Sequence, residues 1–284
     1  MFEYLFMQRA FVAGLILGVA VPCIGVVVVL KRLSMMGDAL SHTSLAGVAG
    51  GLIAGISPVL GATIACVAAA FGIEAVRRRF AGHAELAIAV IMSCGIGLAG
   101  VLSGFVPNAA SFSSFLFGSI VTVDGGELVG VALVGAVVLG VFFLMRKELF
   151  LVTMDEDAAR LAGVRVQLVN AAFVLLTALT VSVAARTVGA LIVSSMMVVP
   201  VACALQLCGS WRQTILVSCT IGLVISAVGL TVSYVFGLKP GGTIVLIGVA
   251  LLAVILIGKG IARLVGRALR RHAADEDEGA AALD

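Results

Sequence analysis

Residues 10–42 read AFVAGLILGVAVPCIGVVVVLKRLSMMGDALSH. From Ala10 to Leu30 there is no charge, and as a helix this run is long enough to cross a hydrocarbon core about 30 Å thick. It is too long for the apolar core of a signal peptide and no small-residue cleavage pattern follows it, so it is expected to stay as a helix. Lys31-Arg32 closes it. A second apolar run then opens on Asp38 and His42, a carboxylate and an imidazole four residues apart.

The same alternation of long apolar runs and short polar gaps fills the chain. Of its 284 residues 62% are hydrophobic and only 12% charged, with a mean hydropathy of +1.24. Soluble domains are about 45–50% apolar and 25% charged, so soluble enzymes and nucleic-acid-binding proteins are excluded as classes. After Ala10–Leu30 the spans are read as Ala39–Ile56, Val59–Val76, Leu86–Val106, Leu128–Met145, Val166–Ala185, Val188–Cys208, Thr214–Phe236 and Thr243–Ile261. The fold class is therefore all-α, a polytopic transmembrane helix bundle of about nine spans. Residues 1–265 are expected to form one membrane domain, and 266–284, with Asp275-Glu276-Asp277-Glu278, a charged, disordered tail on the cytoplasmic side.

Threading nine spans distributes the 18 basic residues very unevenly: all except Arg9, Arg186 and Lys239 fall on one side. The positive-inside rule makes that side cytoplasmic, with the N-terminus outside and the C-terminus inside. Two gaps stand out. Phe112–Val123 is apolar but too short to cross, so it reads either as a re-entrant outer segment or as an interfacial helix. In the interior gap Arg146–Arg165, Thr153 and the acids Asp155-Glu156-Asp157 precede Ala158-Ala159, and Gly163 follows. That pattern predicts a short amphipathic helix over about 153–164, with Thr153 as its cap.

Ionisable groups inside a membrane are costly, which makes Asp38 and His42 the leading functional candidates. At a spacing of four they share one helix face and could both touch one divalent metal ion. Two ligands leave a coordination shell open; a second copy related by a two-fold axis would supply four. The alternative is structural, with Asp38 capping its helix and His42 held by the Ser41 or Thr43 hydroxyl. Glu74, before Arg77-Arg78-Arg79, reads as paired, and the six cysteines, lying in apolar runs without two-residue spacing, read as packing residues. No phosphate-binding loop and no metalloprotease helix occurs, so the chain is not expected to be an enzyme or to hydrolyse ATP itself.

KRLSMMGDALSH at 31–42, Leu116-Phe117-Gly118-Ser119 and Val188-Gly189-Ala190-Leu191 running to Pro200 together resemble the permease subunits of zinc- and manganese-type metal-ion ABC importers, the ABC-3 family. The resemblance implies the fold of the larger (type II) importers such as the cobalamin permease, with two copies around one pathway. It also implies a separate cytoplasmic ATP-binding subunit docking at Thr153–Gly163 and an extracytoplasmic metal-binding protein that delivers the ion. Asp38 and His42 fall where the family handles metal, and the segment at Leu116–Gly118 falls at its outer gate. The resemblance further implies no permanently bound cofactor and a cargo of Zn(II) or Mn(II), with zinc expected first because Ser44-Leu45-Ala46-Gly47-Val48-Ala49 is similar to zinc-type members. The competing expectations are an iron(II) permease, a siderophore or cobalamin permease, and a proton-coupled cation transporter without an ATPase.

Overall fold

The computed structural model describes residues 5–80, 84–106, 115–116 and 125–281. The described residues contain helices and no strand: α1 (Leu5–Leu30), α2 (Met36–Ala54), α3 (Pro58–Arg79), α4 (Ala84–Ser103), α5 (Gly125–Leu144), α6 (Arg146–Met154), α7 (Glu156–Leu161), α8 (Val166–Ala184), α9 (Ala190–Leu207), α10 (Trp211–Phe236) and α11 (Pro240–Ala281). Every predicted span falls on one of these. Seven helices are long and apolar enough to cross a membrane by themselves, and α9 adds a shorter apolar stretch, Ile192–Leu207. In α2 the hydropathy is diluted by Asp38, His42 and several Gly and Ser residues. That composition suits a helix shielded by its neighbours, and α2 lies against α3, α4, α8 and α9.

α1 runs through the middle of the bundle, touching α5, α8, α9 and α10, and Val21, Cys23, Ile24 and Val26–Val28 are fully buried. A helix that is apolar all round belongs in such a place. α4, α5 and α11 instead present exposed Leu, Ile and Val along their outer faces, among them Val90, Val101, Leu133, Leu246 and Ile257. A rim this apolar is stable only against lipid.

Small residues set a tight crossing. Gly47 of α2 and Gly61 of α3 pack backbone to backbone, and a β-carbon at Gly47 would fall 2.6 Å from that of Ala65. Without a hydrophobic drive to join helices inside lipid, such close approach supplies the dispersion contact. Gly47→Leu is expected to lower stability by about 3 kcal/mol, at the upper end of overpacking penalties. Gly50→Leu, where a β-carbon meets nothing within 4 Å, is expected to be near neutral. Thermal midpoints of the two variants in detergent check this; equal values would remove the crossing as the cause.

Three sequence expectations are refined. The interior segment holds two helices, α6 and α7, because Asp155 is extended (φ −156°, ψ 112°) and breaks the run. Asp155, not Thr153, caps α7: its Oδ1 accepts from the Asp157 and Ala158 amides at 2.9 and 3.0 Å. Thr153 donates back to the Leu149 carbonyl at the end of α6, so its hydroxyl is spent. Between α8 and α9, Arg186-Thr187 lies in a π-helical turn (Ala185–Gly189), and Gly189 takes φ 107°, a value for which a side chain is unfavourable. Beyond the last span, α11 continues as backbone helix to Ala281 through the stretch expected to be a tail; Ala, Leu, Arg and Glu, abundant there, are strong helix formers. Nearly all of the candidate re-entrant segment 112–123, together with Asp124 and His83, lies outside the described residues.

Candidate functional site

The route from α1 to α2 is a tight turn. Leu33 N–H donates to the Val28 carbonyl at 2.8 Å and Arg32 N–H to that of Val29 at 3.0 Å, a pattern that places Arg32 in the left-handed region at φ 58°. Glycine is the usual residue there, and a non-glycine costs on the order of 1 kcal/mol. Arg32→Gly is therefore expected to raise the thermal midpoint in detergent by a few degrees; an unchanged or lower midpoint would show that the Arg32 side chain offsets its backbone strain.

This turn delivers α2 with Asp38 and His42 half-buried near its start. The contacts that the structural alternative names are not made among the described residues. The N-cap of α2 is Met35, with no side-chain cap bond, so Asp38 does not cap the helix. Thr43 donates to the Ala39 carbonyl at 2.8 Å, Ser41 Oγ is buried without a partner, and neither holds His42. Among the described residues no hydrogen bond or ion pair engages the side chain of Asp38 or His42. Two ligand-type side chains thus share a helix face with their donor atoms unspent.

The walls around the pair are close. A β-carbon at Gly37 would fall 3.1 Å from that of Ser194 in α9, and one at Gly95 in α4 would fall 2.9 Å from the Thr43 amide nitrogen. α2 is thereby wedged between α9 and α4, beside its acid and imidazole. Met36 is fully buried and belongs to the core, whereas Met35 is 51% exposed. The described residues of one chain contain no group of three or more His, Cys, Asp or Glu side chains able to hold a metal. One copy therefore offers two donors.

A polar network lies at the same end, of which the sequence reading anticipated only the pairing of Glu74 with its arginines. Lys31 Nζ, at the foot of α1, donates to Glu156 Oε1 of α7 at 3.1 Å and to Asn170 Oδ1 of α8 at 2.6 Å. Asn170 Nδ2 donates to Glu156 Oε1 at 3.1 Å, and Arg77 of α3 approaches the same oxygen at 3.5 Å. Arg77 and Arg78 in turn hold the buried Glu74, each with an Nε contact at 2.9 Å. Burial lowers the Lys31 pKa, partly offset by Glu156. Burial acts to raise Glu156, but the Asn170 amide, Lys31 and Arg77 outweigh it and hold the carboxyl below its ordinary range. The signal in the sequence was Asn170, a lone amide in an apolar span.

At the other end Arg186, in the π-turn, makes an ion pair with Glu127 at the start of α5, and its guanidinium lies 5.4 Å from the centre of the Phe115 ring. Arg9 is adjacent, within 3.6 Å of where a β-carbon on Gly125 would sit. The basic residues divided between two sides by the sequence reading are thus seen at two ends of the bundle: Lys31 and Arg77 together, Arg9 and Arg186 together.

Residues 3–259 match the family described as "ABC 3 transport family". The chain belongs to the ABC 3 transport family. Within this membrane-transport family it is 33% identical to a probable metal transport system membrane protein of Treponema pallidum, over 90% of this chain and 96% of that one. It is 29% identical to the manganese transport system membrane protein MntC of Listeria monocytogenes, over 86% and 88%. A solved structure of PsaBC from Streptococcus pneumoniae in complex with Fab superposes with a TM-score of 0.80 at 27% identity, covering 89% of this chain and 91% of that one. An ABC 3 chain is a multi-pass membrane protein, which agrees with the lipid-suited rim.

Proposed function

We propose that this ABC 3 chain is the permease subunit of an ATP-driven importer of a divalent transition-metal ion, that it works as a homodimer, and that Asp38 and His42 contact the ion in transit. The observation that carries this reading is the unpartnered pair on one face of α2. Two copies facing a common axis would bring two carboxylates and two imidazoles to one point, a donor set suited to Mn(II), Fe(II) or Zn(II). Without thiolates such a site holds an ion loosely enough to release it.

The basic end is cytoplasmic in this reading, the N-terminus lies outside, and the segment Thr153–Gly163 with α7 docks a separate ATP-binding subunit. ATP binding in that subunit moves α7 and shifts the bundle between outward- and inward-open states. A metal-binding protein on the outer side delivers the ion. The sequence placed zinc first. The name of the Listeria relative favours manganese, and because the Irving–Williams order makes zinc the tighter ion at almost any such site, ligand type alone does not decide.

Elemental analysis of chelator-starved cells tests the reading. Cells carrying the chain with its partner ATP-binding subunit are expected to accumulate manganese, and cells whose partner subunit is disabled in its phosphate-binding loop are not. Accumulation that survives the disabled ATPase would replace this mechanism with an ion-coupled one, and a rise in zinc alone would return the cargo to zinc.

A further inference from the structure

A groove of about 840 Å³ opens at the basic end of the bundle. Its lining comes from α1, α5, α6, the end of α9 and the start of α10, and none comes from α2, α3 or α4. Phe142, Phe143, Phe150 and Leu216 form apolar walls, and Phe143 and Leu216 are 50% and 65% exposed. Phe150 and Trp211 meet edge to face with ring centres 5.4 Å apart and stiffen one side. Trp211 is the only tryptophan of the chain.

Arg146, Lys147 and Arg212 also line the groove, and no carboxylate does. All three are exposed, and among the described residues none of their side chains has a hydrogen bond or ion pair. At this end Lys31, Arg77 and Arg78 are matched by Glu74 and Glu156, whereas the groove brings three unmatched cations to one apolar wall. The groove thus couples uncompensated positive charge with a deep apolar wall, where a tryptophan marks the membrane–water boundary.

We infer that this groove seats an anionic glycerophospholipid of the leaflet at the basic end, its phosphate among Arg146, Lys147 and Arg212 and its acyl chains against the phenylalanines. Basic pockets between membrane helices bind anionic headgroups for this physical reason. A docked protein surface would leave the apolar depth unfilled, and a zwitterionic lipid would leave the three cations unmatched. The inference depends on membrane placement alone and not on the cargo or the ATPase.

Trp211 provides the test. The full chain is reconstituted in nanodiscs of dioleoylphosphatidylcholine, and quenching of its fluorescence is titrated with dibrominated phosphatidylglycerol or dibrominated phosphatidylcholine. Roughly a tenfold or greater preference for the anionic lipid is expected, falling to near one in R146Q/K147Q/R212Q. Should the triple variant fail to fold, the single variant R212Q, with a loss of about threefold, carries the same comparison. Glycerol 1-phosphate, a headgroup without chains, is expected not to compete. Equal quenching by both lipids in the wild type, or a preference untouched by removing the cations, overturns the inference. Competition by glycerol phosphate would reassign the groove to free phosphate esters. Loss of quenching on adding the ATP-binding subunit, with no lipid preference beforehand, would assign it to that subunit.

Discussion

Asp38→Ala and His42→Ala are each expected to abolish ATP-dependent metal accumulation, with uptake at least about a hundredfold below wild type at equal membrane abundance. The magnitude follows from the donor set. In a two-fold assembly each substitution removes two of four ligands at once, and the remaining two cannot replace the hydration shell of the ion. Because neither side chain has a hydrogen-bond or ion-pair partner among the described residues, truncation breaks no polar contact, and thermal midpoints are expected to stay within a few degrees of wild type. That separation makes the experiment decisive. Normal uptake by both variants would remove the pair from the pathway, and a fall in stability matching the fall in uptake would make its role structural. His42→Asp, which keeps a donor atom, is expected to retain partial uptake and to shift preference toward the harder Mn(II).

Glu156→Ala is the second large effect. It leaves Lys31, whose side chain is only 7% exposed, facing Asn170 without its counter-charge. Breaking a fully buried pair costs about 3–5 kcal/mol, and because Glu156 is 31% exposed the expected loss is on the order of 2 kcal/mol. Uptake should fall further than stability explains, since Lys31 fixes the α1–α2 turn that carries Asp38 while Glu156 is the first residue of α7. The double variant Lys31→Met/Glu156→Gln removes both charges and is expected to recover most of the stability but not the uptake. Recovery of both would show that the pair does no more than neutralise itself. The pH dependence has a definite sign. Glu156 is held below its ordinary 4.5, so its contribution is complete above that value and is lost as pH falls through the lowered one. The Glu156→Ala variant should therefore lose less stability than wild type between neutral pH and about pH 3.

Part of the site was legible without a fold. The i, i+4 spacing of Asp38 and His42 fixes a shared face in any helix, and the cost of charge in an apolar run marks both residues. Their lack of partners was not legible. It depends on Thr43 turning back to the Ala39 carbonyl and on Met35 standing at the N-cap. Lys31, read as one more cation for topology, proved to be the centre of a network whose acid lies 125 residues away. Thr153 was read as the cap of the interior helix, and Asp155 takes that place because its backbone is extended.

Hydropathy by itself determined that this chain is a helical membrane bundle and where its apolar helices lie. These properties are local: a helix satisfies its own backbone, and each apolar run must match the bilayer alone. Only the tertiary structure decided which spans form the interior. The spans in α1 and α11 have the same hydropathy, 2.7, yet 72% of the first is buried and 11% of the second. Lipid tails are as apolar as leucine, so transfer energy does not distinguish the inside of the bundle from its rim. Close approaches such as Gly47 on Gly61, and long-range pairs such as Lys31 with Glu156, make that choice.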